Sequence, residues 1–143
     1  MDFFCTSSFT DNVSILCKKA KNNYFEVCKD ISELLQIRTD VSQIIASGDV
    51  ISMVNEKDKL VLIKIRVKNS AMKEGTRGGF RLIILVNQTE DVCVLLSTYP
   101  KKGKLAKIDL SEDEYANILE IYLKENEAKK LIPIDINSPK LFK

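Results

Sequence analysis

Basic side chains gather in the middle of the chain, between residues 60 and 104. In the run 63–68, apolar and basic residues alternate strictly. Because successive side chains of a strand point to opposite faces, Lys64, Arg66 and Lys68 are expected on one face and aliphatic residues on the other. The first face would then offer three positive charges to an anion.

Two further runs predict strands that pair with this one. Residues 80–86 are almost wholly apolar, as in a central strand covered on both faces, and Arg81 is their one charged residue. An arginine in that position needs an anion or another partner. After a polar connection at 88–91 the chain returns through 92–99, which ends in Tyr99. We therefore expect a three-stranded antiparallel meander.

The charge of the chain is unevenly distributed. The whole sequence has 22 Lys and Arg against 20 Asp and Glu, but residues 59–107 hold 11 basic and 3 acidic residues, a local net charge of +8. The remainder is left with 11 basic and 17 acidic residues, a net charge of −6. Clustered Lys and Arg attract a nucleic-acid backbone, so the meander is predicted to bind a phosphate-rich ligand. The alternative is that single strand lysines only solubilise an edge.

Composition excludes several kinds of chemistry. The sequence has no histidine, which removes Ser-His and Cys-His catalysis and the usual His-containing metal sites. Cys5, Cys17, Cys28 and Cys93 show no Cys-x-x-Cys spacing, and we interpret them as reduced core residues rather than a redox pair. We expect neither a metal nor a cofactor.

The sequence before the meander predicts short helices. A helix capped by Thr10 or Asp11 and a second helix over 24–35 each carry an apolar stripe. Their short link predicts an antiparallel helical hairpin on one face of the sheet. We also expect a short edge strand in the first few residues, a helical turn over 41–45 and a strand over 50–54.

The sequence after the meander predicts one longer helix. Ser111 and Glu114 have the spacing of a capping box, and the apolar stripe that follows lasts to about Glu127. The fold class is then α+β, a single domain over residues 1–130 with an extended or disordered tail over 131–143 that can add to the sheet edge.

Nothing in the sequence predicts a membrane protein. No apolar run approaches the ~20 residues that span a bilayer. The first residues lack the basic region and long apolar core of a signal peptide, so we expect a cytoplasmic protein.

The order of elements and three local motifs resemble the RelE/HigB-like toxins of bacterial type II toxin-antitoxin modules. The resemblance is closest over residues 64–104. Its motifs are Lys64-x-Arg66, Gly78-Gly79-Phe80-Arg81 and Tyr99-x-Lys101, one on each meander strand.

The resemblance implies a metal-independent endoribonuclease that cuts messenger RNA in the decoding site of the ribosome and is inhibited by a cognate antitoxin. It implies that Arg81 grips the scissile phosphate, and that Lys64, Arg66, Tyr99 and Lys101 match further motif positions of the family. From residue chemistry we expect Arg66 to share the phosphate and Lys64 or Lys101 to act as the base, because crowded cations lower the pKa of a lysine. Tyr99 is expected to stack on a base or to donate a proton. Tyr99 can equally be a half-buried residue that closes a strand. The expected RNA contacts are Lys68, Arg77, Lys102 and Lys104.

One segment departs from the family pattern. Residues 103–107 are longer than usual and lack the acidic residue that the family commonly has there. Two alternatives therefore stand beside the nuclease: a ParE-like toxin that binds DNA gyrase, and a decayed toxin that only binds its antitoxin. We expect Gly75, Gly78 and Gly79 to allow positive φ and close approach of the backbone to RNA.

Overall fold

A computed structural model describes residues 1–19, 21–57 and 59–142 of the chain. A short 3₁₀ turn at Ser70–Met72 joins the strands in the middle of the sequence. The strands are β1 (Asp2–Cys5), β2 (Asp49–Asn55), β3 (Leu60–Val67), β4 (Phe80–Asn87), β5 (Val92–Pro100) and β6 (Ile132–Pro133). The helices are α1 (Ser7–Lys19), α2 (Lys21–Tyr24), α3 (Val27–Gln36), α4 (Val41–Ala46) and α5 (Glu112–Glu127).

The strands form one mostly antiparallel sheet in the order β2-β3-β4-β5-β1-β6. The predicted meander is confirmed as β3-β4-β5, and β2 extends it. The predicted edge position of β1 is wrong, because β1 pairs in parallel with β5 and antiparallel with β6. The tail supplies β6 and covers that edge, as the sequence allowed. Pro133 suits an outer strand because it has no N–H to donate.

The first face of the sheet carries the larger core. The aliphatic residues of β3 that alternate with its cations are buried here under α1 and α3. Helix α1 packs against β5 whereas α3 packs against β3, so the antiparallel hairpin is not confirmed. Helix α1 also begins earlier than predicted. Its first hydrogen bond runs from Thr10 N to Thr6 O at 3.3 Å, so Thr6 precedes the helix and neither Thr10 nor Asp11 caps it. The early start follows from β1, which ends at Cys5.

The second face is covered in part by α5. Leu62, Ile83 and Leu85 of the sheet pack with Ile118 and Tyr122 of the helix. The predicted capping box is confirmed: Glu114 N donates to Ser111 Oγ, and Ser111 N donates to Glu114 Oε1, both at 3.1 Å. The helix ends at the predicted Glu127.

Within the described part of the chain, no helix combines the length and the apolar character that a membrane crossing requires.

Candidate functional site

Arg66, Arg81 and Tyr99 form one row across three neighbouring strands. Arg66 of β3 is the register partner of Arg81 in β4, and Arg81 is the register partner of Tyr99 in β5. Lys64 lies two residues before Arg66 and so projects from the same face. This cation row, defined by Lys64, Arg66, Arg81 and Tyr99, brings together four of the five residues that the family resemblance assigns to catalysis.

Arg81 is held inside the protein by main-chain oxygens. Its side chain belongs to a residue that is 8% exposed. Nη1 donates to Thr76 O at 3.1 Å and to Phe80 O at 3.3 Å, and Nη2 donates to Arg77 O at 3.1 Å. Burial and the nearby charge of Arg66 lower the pKa of Arg81. The main-chain oxygens of the turn are therefore the partner that the sequence predicted for this arginine. Arg81 stabilises the turn and does not present a free guanidinium.

Arg66 is the exposed guanidinium of the row. Among the described residues it forms no ion pair and no side-chain hydrogen bond. It borders a groove of about 380 Å³ that is also lined by Arg38, Lys64, Thr76 and residues 46–49. Arg66 lines this groove and Arg81 does not, so a phosphate in the groove would contact Arg66.

Asp109 joins the row to the start of α5. Its Oδ1 accepts from Tyr99 Oη at 3.1 Å, from Tyr115 Oη at 2.9 Å and from Leu110 N at 2.7 Å, while Oδ2 accepts from Lys64 Nζ at 3.3 Å. This Asp109 cluster therefore places one carboxylate among two hydroxyls and an ammonium. Residues 103–107 hold no acidic side chain, and Asp109 is the next carboxylate along the chain.

The cluster separates the protonation states of its members. Burial raises the pKa of Asp109, but the hydrogen bonds from Tyr115 and Leu110 and the charge of Lys64 outweigh it, so the pKa lies below its usual value. Burial, followed by the neighbouring Asp109, raises the pKa of both Tyr99 and Tyr115. At neutral pH the carboxylate is ionised and both phenols keep their protons.

Sequence reasoning missed Asp109 and predicted only a capping box and an apolar stripe for the region of α5. Tyr99 and Asp109 are ten residues apart on either side of a loop, so no local period relates them. The available signal was the position of Asp109 just before the capping serine.

Most of the remaining predicted lysines have partners of their own. Lys68 pairs with Glu33 at 2.7 Å and Lys102 pairs with Glu74 at 3.1 Å. Lys101, the fifth predicted catalytic residue, donates through Nζ to the main-chain oxygen of Ile108. These contacts reduce the positive field that the sequence suggested.

Arg77 and Lys104, the other predicted RNA contacts, are exposed. Within the described ranges, neither side chain takes part in an ion pair or a hydrogen bond. With Arg66, they are the predicted site cations whose side chains have no described partner.

Of the glycines before β4, Gly79 is the one that a close main-chain approach requires. Among the described glycines only Gly103 has a positive φ, so the expectation for Gly75, Gly78 and Gly79 is wrong on that point. A Cβ on Gly79 would lie 2.0 Å from Val67 O, which shows that β3 and β4 meet too closely for a side chain there. A Cβ on Gly103 would also clash, but with a side-chain atom: it would lie 2.3 Å from Tyr24 Oη.

The cysteines are all free, as predicted. Burial raises the pKa of Cys5, Cys28 and Cys93 to about 12, so these thiols are poor nucleophiles at neutral pH. In the described ranges no group of three or more acidic or cysteine side chains is arranged to hold a metal ion.

Comparison of the chain with protein-family models, with curated proteins and with solved structures finds no match. The geometry of the cation row and of the Asp109 cluster is therefore what carries a functional conclusion.

Proposed function

We propose that the protein is a RelE/HigB-like toxin of a type II toxin-antitoxin module, a ribosome-dependent endoribonuclease that cuts messenger RNA. The observation that supports this is the placement of an exposed arginine, a lysine, a carboxylate and a protonated phenol around one end of the sheet: Arg66, Lys64, Asp109 and Tyr99. Three of them come from the motifs that carry the family resemblance.

These groups match the needs of RNA cleavage through the ribose 2′-hydroxyl. The reaction requires an acceptor for the hydroxyl proton, positive charge beside the phosphorane and a donor to the leaving 5′-oxygen. Asp109 is the ionised acceptor, and Arg66 and Lys64 supply the positive charge. Tyr99 is 3% exposed and donates its proton to Asp109, so it positions that carboxylate, and Lys64 is assigned as the donor to the leaving oxygen. No metal ion is needed for this assignment.

The roles differ from those that the resemblance implied. Three of the five N–H donors of Arg81 bind carbonyl oxygens of the turn 76–80, so we assign the direct phosphate contact to the more exposed Arg66 and the positioning of the turn to Arg81. Lys64 and Lys101 both act as hydrogen-bond donors, to Asp109 and to Ile108 O. The base is therefore assigned to Asp109.

A cognate antitoxin is part of the same proposal. The groove beside Arg66 adjoins a second one lined by Leu34, Ile37 and Val67, and Ile37 is 72% exposed. Apolar side chains next to Arg66, which has no described ion-pair partner, suit an acidic amphipathic segment that folds on binding. Such a segment would block the approach of RNA to Arg66.

A second candidate, a toxin that binds without cutting, is favoured by one observation. The guanidinium that the family uses on phosphate is occupied here by loop carbonyls. Growth arrest or DNA damage on induction, without cut transcripts, would identify that activity.

The test is cleavage of an abundant messenger in a translating extract, read by primer extension. We expect the wild type to cut, and Arg66→Ala and Asp109→Asn each to cut about 100-fold more slowly, as when one charge-stabilising group is removed. Lys19 is an exposed lysine at the end of α1, and the Lys19→Ala variant should cut at the wild-type rate. Wild-type protein that leaves the messenger intact would reject the nuclease, and full activity in Arg66→Ala would reject the phosphate contact.

A further inference from the structure

A polar cleft of about 280 Å³ opens between α1 and α5, beside Tyr99 and apart from the groove at Arg66. The end of β5 and both helices line it with polar and apolar side chains, and Lys107 and Glu114, which pair with each other at 2.6 Å, also border it. The side chains that matter are Asp11 and Asn12 of α1, Tyr99 of β5, and Asn117, Ile118 and Ile121 of α5.

The α1 wall of the cleft has unused hydrogen-bonding capacity. Asn12 Oδ1 accepts from Ser97 Oγ at 2.9 Å and from Thr98 N at 3.1 Å, which directs the Asn12 amide NH₂ away from these two partners. That NH₂ has no acceptor among the described residues. Asp11 is exposed, and no described cation or donor binds its carboxylate. The wall thus presents a pure acceptor next to a pure donor.

We propose that this cleft binds a nucleobase of the RNA and prefers a base that carries an amino group. The inference rests on the proposed function for the kind of ligand. The face of a base can lie on Ile118 and Ile121, while its edge meets Asp11 and Asn12. Cytosine fits this edge, because its amino group donates to a carboxylate and its ring nitrogen accepts from an amide.

Uracil fits the same wall poorly. It has a carbonyl oxygen where cytosine has the amino group, and an oxygen facing Asp11 would lose a hydrogen bond and meet a like charge. One charge-assisted hydrogen bond corresponds to about a tenfold difference in affinity.

The cleft also continues the path of the cation row. Tyr99 belongs to both, and neighbouring strands are about 4.8 Å apart, so the main chains of Arg66 and Tyr99 are roughly 10 Å apart. A phosphate at Arg66 and a base in the cleft can then belong to one short stretch of RNA. The cleft would give the nuclease a sequence preference next to the cut.

The experiment is an NMR titration of the whole protein with cytidine 5′-monophosphate and, separately, uridine 5′-monophosphate. We expect cytidine monophosphate to shift the amide signals of Asn12, Ser97 and Asn117 and to bind about tenfold more tightly. In Asp11→Asn the two nucleotides should bind within about twofold of each other, because an amide can present either a donor or an acceptor. Asp113→Asn removes an exposed carboxylate outside the cleft and should keep the wild-type preference.

Equal binding of the two nucleotides by the wild type, shifts confined to another surface, or an unchanged preference in Asp11→Asn would each overturn the cleft assignment. Its failure is distinguishable from failure of the nuclease. A protein that cuts messenger but shows none of these shifts loses only the cleft, whereas one that binds cytidine monophosphate here and cuts nothing loses only the nuclease.

Discussion

Tyr99 Oη donates to Asp109 Oδ1 at 3.1 Å and thereby ties the end of β5 to the segment just before α5. The same carboxylate accepts from Lys64 of β3, so a single side chain links strands that are two positions apart in the sheet. These hydrogen bonds hold the Tyr99 phenol and the Lys64 ammonium in place and so restrain their positions relative to Arg66.

The Asp109 cluster makes stability depend on pH. The pKa of Asp109 is lower in the folded protein than the unfolded value of about 3.9, so its ionised form stabilises the fold. This contribution is present above pH ~4 and is lost as the pH falls through the lower folded-state pKa. Its side chain is 48% exposed, so the effect is that of a screened surface pair.

Asp109→Asn should therefore lower the melting temperature at pH 7 by about 1–3 °C and make less difference near pH 2. Calorimetry at the two pH values measures this. In contrast, Glu56→Gln changes an exposed carboxylate in the turn after β2, outside any helix, and its effect on the melting temperature should not depend on pH in this way. A difference between wild type and Asp109→Asn that stays constant with pH would contradict the assignment.

Arg81 is predicted to stabilise the turn 76–80 through its hydrogen bonds rather than through its charge. Arg81→Ala should lower the free energy of unfolding by about 2–3 kcal/mol, since three carbonyl oxygens lose their donor. Arg81→Lys keeps the charge but lacks the planar fork, and should recover less than half of that loss. Urea denaturation measures both variants, and hydrogen exchange should quicken in the turn. If Arg81→Lys regained the whole free energy of unfolding, the positive charge of Arg81, and not its hydrogen bonds to the turn, would be what stabilises the fold.

Gly79 and Gly75 form a matched pair for the turn before β4. Gly79→Ala should lower the free energy of unfolding by about 3 kcal/mol, because its Cβ would meet Val67 O and force β3 from β4. Gly75→Ala has nothing within 4 Å of the new Cβ and should be neutral or slightly stabilising. Urea unfolding of the two variants side by side tests this, and a similar cost for both would mean that the close approach at Gly79 is not what matters.

The amino-acid sequence by itself determined the features that depend on neighbouring residues. Strict alternation over 63–68 placed Ile63, Ile65 and Val67 in the core and the cations on the other face, because a strand reverses side-chain direction at every residue. The capping box at Ser111 was predictable for the same reason, since both of its partners lie within one helical turn.

Only the tertiary structure decided what the charged side chains do. That Arg81 would meet loop carbonyls, and that Asp109 would meet Tyr99 and Lys64, depends on how loops return to the sheet. The position of β1 in the sheet also depends on a distant contact, because β6 from the C-terminal tail pairs with it and covers its edge. Contacts between residues far apart in the chain are set by the closure of the whole fold, and no short-range period in the sequence records them.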